Sequence, residues 1–172
     1  MKFCSMQRFS LWLQPSKSDN FLLQDVLFKL AKEYQTPLFE PHLTLLSGCL
    51  DPEDFLEKTF FKKHPPFSVK IKVLNQSQRF FQPIFLEIAE NRALTLLRQQ
   101  CLQKFKMTNV TIKHPHVSLL YGKFVKKERQ VIMKSLNLKL FKKIEFNKIS
   151  LVITEGMVEK WKKVKTVHLR KS

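Results

Sequence analysis

Two short segments of the chain hold residues suited to acid–base chemistry near neutral pH, and they are near copies of each other. Residues 41–48 read Pro-His-Leu-Thr-Leu-Leu-Ser-Gly, and residues 115–122 read Pro-His-Val-Ser-Leu-Leu-Tyr-Gly. Five of the eight positions are identical, and Leu/Val and Thr/Ser are conservative pairs. Side chains alternate along a strand, so His42 and Thr44 project to one face and Leu43 and Leu45 to the other. His116 and Ser118 project together in the same way, with Val117 and Leu119 behind them. Two such strands side by side across a twofold relation would gather two imidazoles and two hydroxyls in one small volume.

That set suits opening of a cyclic phosphodiester. One base must activate water and one acid must protonate the departing ribose oxygen. An imidazole, with an ordinary pKa of roughly 6.5, can be either. The hydroxyls of Thr44 and Ser118 can donate to the non-bridging phosphate oxygens, where charge must be held. A lone histidine beside a threonine on a strand is usually a satisfied polar residue. Two near copies, each with Pro before the His and a hydroxyl two residues after it, point to catalysis. The scheme needs no metal and no cofactor.

The remaining candidates are weaker. His114 and His116 form a His-x-His, but no Cys, Asp or Glu is placed nearby in sequence to complete a tetrahedral site. His64, before Pro65-Pro66, and His168, near the basic end, are expected on the surface. Cys4, Cys49 and Cys101 are odd in number and widely spaced, which gives no metal pair and no disulfide framework. Cys49 and Cys101 read as core residues. A reducing, cytoplasmic setting follows as the expectation.

The elements that must position these residues read as a mixed series. A strand is expected over 9–13, then a helix over 20–34 capped by Ser18 or Asp19. A strand follows at 42–46, opened by Pro41. Asp51-Pro52 starts a helix reaching Lys63. Phe67 to Val73 alternates cleanly, and an apolar strand runs from Phe80 to Ile88, where Pro83 argues for an edge or bulge. A helix over 91–106, a strand over 116–120, a helix over 126–136 and closing strands over 144–154 and 164–169 complete the chain. Neighbouring strands without strict alternation favour an α+β class with largely antiparallel pairing. With three glycines in all, phosphate loops of the P-loop or Rossmann kind are excluded.

The 172 residues suffice for one domain, here taken as 1–172. No signal-peptide pattern opens the chain, and no stretch approaches the roughly 18 apolar residues of a membrane span. No membrane partner is therefore expected, and a monomer is. The net charge is +17, and residues 123–172 hold 15 Lys/Arg against 4 Asp/Glu. Such a surface attracts polyanions. Lysine-rich composition alone gives the same number, so RNA stays an open partner beside a small cyclic-phosphate nucleotide.

The paired His-x-[Thr/Ser] motifs resemble those of the 2H phosphoesterases. Within that superfamily the chain is most similar to the cyclic phosphodiesterases of plants and fungi. The likeness includes the opening strand with Trp12 and Pro15, Phe39-x-Pro-His-Leu-Thr, Phe80-Phe-Gln-x-x-Phe-Leu and Pro115-His-Val-Ser-Leu-Leu-Tyr. The resemblance implies a bilobal, pseudo-twofold fold, with two antiparallel sheets and outer helices around a central cleft. It implies that His42 and His116 serve as acid and base, that Thr44 and Ser118 hold the phosphate and that Tyr121 contacts substrate.

The substrates it implies are nucleoside 2′,3′-cyclic phosphates and ADP-ribose 1″,2″-cyclic phosphate. On a regular strand Tyr121 has the wrong parity for the site face, so it reaches substrate only if the strand ends or twists before Gly122. Trp12, Phe81 and Gln82 are candidates for the cleft wall. The strong basicity and Pro83 depart from the family pattern. Two further readings remain: the same chemistry on RNA ends or cyclic or 2′-5′ oligonucleotides, and a binding module for RNA termini without turnover.

Overall fold

The fold is built on strands whose partners lie far apart in sequence. The computed structural model describes residues 7–48, 52–56, 58–107, 114–137 and 141–170. In order, the elements are β1 (Phe9–Pro15), α1 (Lys17–Tyr34), β2 (Leu43–Gly48), α2 (Pro52–Leu56), α3 (Lys58–Lys62), β3 (Phe67–Gln76), β4 (Ile84–Ile88), α4 (Arg92–Lys104), β5 (His116–Leu120), α5 (Lys126–Ser135), β6 (Lys143–Ile153) and β7 (Lys162–His168). Most expected elements recur with shifted ends, but the one helix expected from Asp51 to Lys63 is two, α2 and α3. Asp51, Cys4 and Cys49 lie outside the described residues.

The class is α+β, as the alternating patterns imply, and every strand pairing is antiparallel. The expectation of two sheets is corrected. One seven-stranded sheet runs β1-β2-β5-β4-β3-β6-β7, and β1 pairs with β6 as well. The long strand β6 makes this closure. Its first residues, 143–146, pair with β3, while 148–153 pair with β7 and 146–153 with β1. One strand thus belongs to both halves of the sheet.

The core lies on one face of that sheet. Leu11 and Leu13 of β1, Leu43 and Leu45 of β2, Val117 and Leu119 of β5 and Ile149 and Leu151 of β6 are all buried. Leu23, Leu27, Leu30 and Ala31 of α1 cover them from outside. Each fully buried aliphatic side chain contributes roughly 1.5–3 kcal/mol relative to exposure. Both octapeptides are therefore anchored through their apolar alternate residues, which leaves the other face to the histidines.

Local chemistry sets several ends. The cap of α1 is Ser16, whose hydroxyl accepts from the Asp19 N–H, and not Ser18 or Asp19. Asp19 instead accepts from the Glu145 N–H at 2.7 Å and ties the helix to β6. The Asn91 side chain caps α4 by accepting from the Leu94 N–H at 3.0 Å.

The expected strand over 80–88 begins only at Ile84, and β4 is a central strand between β3 and β5. Pro83 precedes it and accepts the Ser77 N–H through its carbonyl, closing a loop over 77–83. No edge is needed to tolerate this proline, because it donates nothing to the ladder. His64 is half-buried against Phe60, with ring centres 5.5 Å apart, and so is not a plain surface residue. Cys101 is buried in the core as expected.

Candidate active site

The two octapeptides meet at one backbone pair. Leu43 lies opposite Val117, the third residue of one octapeptide against the third of the other. Because β2 and β5 are antiparallel, a local twofold passes through this pair. Both residues are buried on the core side. His42, Thr44, His116 and Ser118 therefore share the opposite face, each histidine on the side of the other motif's hydroxyl.

The same twofold relates the flanking strands. Trp12 of β1 opposes Thr44, and Phe85 of β4 opposes Ser118.

Each imidazole is held by the same local device. The Nδ1–H of His42 donates to the carbonyl of Glu40 at 2.6 Å, and that of His116 donates to the carbonyl of His114 at 3.0 Å. A carbonyl can only accept, so Nδ1 carries the proton and Nε2 is left for reaction. Proline between acceptor and histidine holds the preceding residue extended, which aims its carbonyl at the ring two positions on.

Their surroundings differ. His42 stacks on Trp12, with ring centres 3.6 Å apart and planes 7° from parallel. Only 7% of His42 is exposed, and burial lowers its pKa to about 4. The positive charge of a protonated His116 lowers it too, while the Glu40 carbonyl and carboxylate oppose the shift. His116 meets Phe85 edge-on at 5.4 Å and is half-buried. Burial lowers its pKa as well, and the Arg79 guanidinium acts in the same direction.

The hydroxyls also differ. Thr44 is half-buried opposite Trp12. Ser118 is buried and donates to the Phe81 carbonyl at 2.8 Å. That bond and the bond from the Gly122 N–H to the Phe80 carbonyl, 2.8 Å, fasten loop 77–83 across the end of β5. Gly122 is required here. Its φ is +136°, and a Cβ would lie 2.8 Å from a ring atom of Phe124.

Tyr121 meets the condition that its parity set. The strand ends at Leu120, and the Tyr121 ring stacks on Phe39 at 3.6 Å. Six rings then close a circuit: Trp12, His42, Phe39, Tyr121, Phe81 and Trp161. Burial raises the Tyr121 pKa, so its hydroxyl stays protonated. Phe81 remains 49% exposed at the rim. Gln82 is used within its own loop, its carbonyl accepting from the Ser77 hydroxyl.

Three residues here were not singled out from sequence. Trp161 joins the ring circuit from the start of β7, and its buried indole N–H has no hydrogen-bond partner. One of two tryptophans among C-terminal lysines was the available signal. Glu40 holds His42 through its carbonyl, while its carboxylate accepts from Gln14 at 2.7 Å and from Lys163 at 2.6 Å. Arg79 brings charge to His116 from a loop with no regular pattern to reveal it. Among the described residues, no three His, Cys, Asp or Glu side chains form a group that could hold a metal ion.

An antiparallel α+β fold carrying two histidines and two hydroxyls across a local twofold defines a two-histidine phosphoesterase class. Residues 6–169 match the family described as cyclic phosphodiesterase-like protein. The chain belongs to this cyclic phosphodiesterase-like family of 2H phosphoesterases, which are phosphodiester hydrolases. It is 22% identical over 125 residues to the cyclic phosphodiesterase of Arabidopsis thaliana, covering 71% of this chain and 69% of that protein.

Solved structures share the fold. E. coli LigT in apo form has a TM-score of 0.63 at 13% identity, covering 96% of this chain and 98% of LigT. LigT complexed with 3′-AMP gives 0.60 at 13% identity, covering 96% and 98%. Kluyveromyces marxianus Usb1 gives 0.51 at 12% identity, covering 98% and 100%. Among the described residues no helix is long and apolar enough to cross a membrane.

Proposed function

We propose that the chain opens nucleoside 2′,3′-cyclic phosphates or ADP-ribose 1″,2″-cyclic phosphate by acid–base catalysis between His42 and His116. The observation that carries this reading is the Leu43–Val117 pair, which sets both histidines on one face with Nδ1 tied to a carbonyl. His42, lowered to about 4, is neutral near pH 7, which is the state of a base. Its Nε2 takes a proton from water as that oxygen bonds to phosphorus. The P–O bond to one ring oxygen breaks, and the Nε2–H of protonated His116 delivers a proton to that oxygen. The product is a ring-opened phosphomonoester, with one water added across the broken bond.

Thr44 and Ser118 donate to the non-bridging oxygens. Ser118 has one proton, and in the free protein it goes to Phe81. Substrate takes over that proton while Gly122 keeps the loop fastened. Tyr121 borders the substrate through its protonated hydroxyl. That LigT has been crystallised with 3′-AMP is consistent with a nucleotide in this fold.

The test is turnover of 2′,3′-cyclic AMP by wild type, His42→Ala and His116→Ala, with and without a strong chelator. Wild type is expected to be active in chelator, and each variant to lose nearly all turnover while still folding. Activity abolished by chelator and restored by zinc would refute the metal-free scheme. A variant with near-wild-type rates would remove its histidine from the mechanism.

A further inference from the structure

The sheet face that carries His42 continues beyond it as a row of polar and cationic side chains. At the end of the ladders Leu13 opposes Leu43 and Ile149, Gln14 opposes Lys148, and Lys148 opposes His168. Residues directly opposed share a face. The next positions outward from Leu13 and Leu43 are Gln14 and His42. His42, Gln14, Lys148 and His168 therefore form one row over strands β2, β1, β6 and β7, on the side away from buried Leu13, Leu43, Ile149 and Val167.

Side-chain contacts confirm that face. The Ser150 hydroxyl donates to Gln14 and lies 2.7 Å from the Thr166 hydroxyl. Lys163 reaches Glu40 from β7.

With strands about 4.8 Å apart, the Lys148 backbone lies roughly 10 Å from that of His42, and His168 roughly 14 Å. A lysine side chain spans much of the first gap. Lys148 is half-buried and forms no ion pair with a described carboxylate, whereas Lys163 shares Glu40 with Gln14. The twofold-related row of the other half is different. His116 is followed by Glu87, which is held by Lys72 and Asn75, and then by Val73, 46% exposed. Arg79 brings a cation to His116 on that half, whereas Lys148 stands in the same row as His42, two strands away.

We propose that Lys148, with His168 opposite it on β7, is a subsite for a second phosphate, one esterified to O5′ of the ribose that bears the cyclic phosphate. This rests on the hydrolase reading above and deepens it. A plain nucleoside 2′,3′-cyclic phosphate carries its single charge at the reacting phosphorus and has nothing to present to Lys148. A 5′-phosphorylated one does, whether the phosphate belongs to a diphosphate or to the next link of an oligonucleotide.

The experiment compares kcat/KM for 2′,3′-cyclic AMP and for the same nucleotide with a 5′-phosphate, using wild type, Lys148→Ala and Lys148→Glu. A charge-assisted contact implies about a tenfold preference or more for the 5′-phosphorylated substrate in wild type. Lys148→Ala should reduce it, and Lys148→Glu should abolish it. Both variants should keep 2′,3′-cyclic AMP within about twofold, since Lys148 does not touch the reacting atoms. The preference should also shrink with added salt.

ADP-ribose 1″,2″-cyclic phosphate and a dinucleotide with a cyclic-phosphate end, run as further arms, show which source of the 5′-phosphate the subsite takes. Equal kcat/KM for the first two substrates in wild type, or variants that slow both alike, would overturn the subsite and leave the hydrolase intact. If wild type opens neither substrate, the hydrolase reading fails. The subsite is then judged by equilibrium binding of adenosine 2′,5′-bisphosphate against 2′-AMP: tighter binding lost in Lys148→Glu supports it, and equal binding overturns it.

Discussion

The pH profile of kcat/KM offers the sharpest check on how the two histidines divide the work. Kcat/KM reports the free enzyme, in which one imidazole must be neutral and the other protonated. Burial sets His42 at about 4, and it leaves His116 below its ordinary value of 6.5. The rate constant should rise to a plateau through about 4 and decline again before or near 6.5, with an optimum in mild acid. The two limbs belong to the interacting pair more than to either ring alone.

Taking 6.5 as the upper bound for the acid, at most about a quarter of the enzyme holds its proton at pH 7, and about 3% at pH 8. Above the optimum the profile should therefore fall about tenfold per pH unit. An anionic phosphate between the rings favours the imidazolium form, so the limbs of kcat should lie at higher pH than those of kcat/KM. The assay is initial-rate hydrolysis of 2′,3′-cyclic AMP from pH 4 to 9 in buffers of constant ionic strength. A kcat/KM that climbs steadily from pH 6 to 8 would refute the argument from burial.

Stability should respond to the same titration. The folded pKa of His42 is depressed, so its contribution is present above the unfolded value of 6.5 and is lost as pH falls through about 4. Between pH 7 and 4, wild type should lose about 3 kcal/mol more than His42→Asn in urea unfolding, and parallel losses would contradict a buried neutral imidazole. Glu40→Gln removes a charge that raises the His42 pKa, so the acid limb of kcat/KM should move to lower pH. Its half-exposed pair with Lys163 is worth under about 1 kcal/mol, so stability should barely change. Tyr121→Phe keeps the stack on Phe39 and removes only the hydroxyl. Kcat/KM should drop about tenfold with unfolding free energy within about 1.5 kcal/mol, and an unchanged kcat/KM would take Tyr121 out of the substrate contacts.

What was legible in the sequence was local. The period-two pattern of each octapeptide already placed histidine and hydroxyl on one face, because that follows from strand geometry alone. Tyr121 was legible as a condition, met when β5 stops at Leu120. What was not legible depends on distant partners. The alternation over 144–154 reads as a strand, but nothing in it reveals that one strand serves β3 and β7 along one edge and β1 along the other. Two expected sheets became one for that reason. Phe80 and Phe81 read as strand residues because they are apolar. They belong to a loop whose shape is fixed by Ser77, Ser118 and Gly122. Capping moved from Ser18 or Asp19 to Ser16 because Asp19 is claimed by the backbone of β6.

The same separation of local from distant causes explains how two copies of one motif acquire different surroundings. Sequence makes the histidines equivalent down to the carbonyl each one bonds. Their partners across the sheet do not match. Trp12 presents its face to His42, while Phe85 and His116 meet at a steep angle, their planes 68° apart. The indole and the rings around it exclude water from one imidazole and leave the other half-open. Environments that push two like groups apart in pKa are what an acid–base pair requires. Here residues 12 and 85, which lie outside both octapeptides, contribute to that difference through the rings they set against each imidazole. Exchanging the aromatic partners, Trp12→Phe with Phe85→Trp, should therefore narrow the gap between the two limbs of the pH profile without moving either histidine.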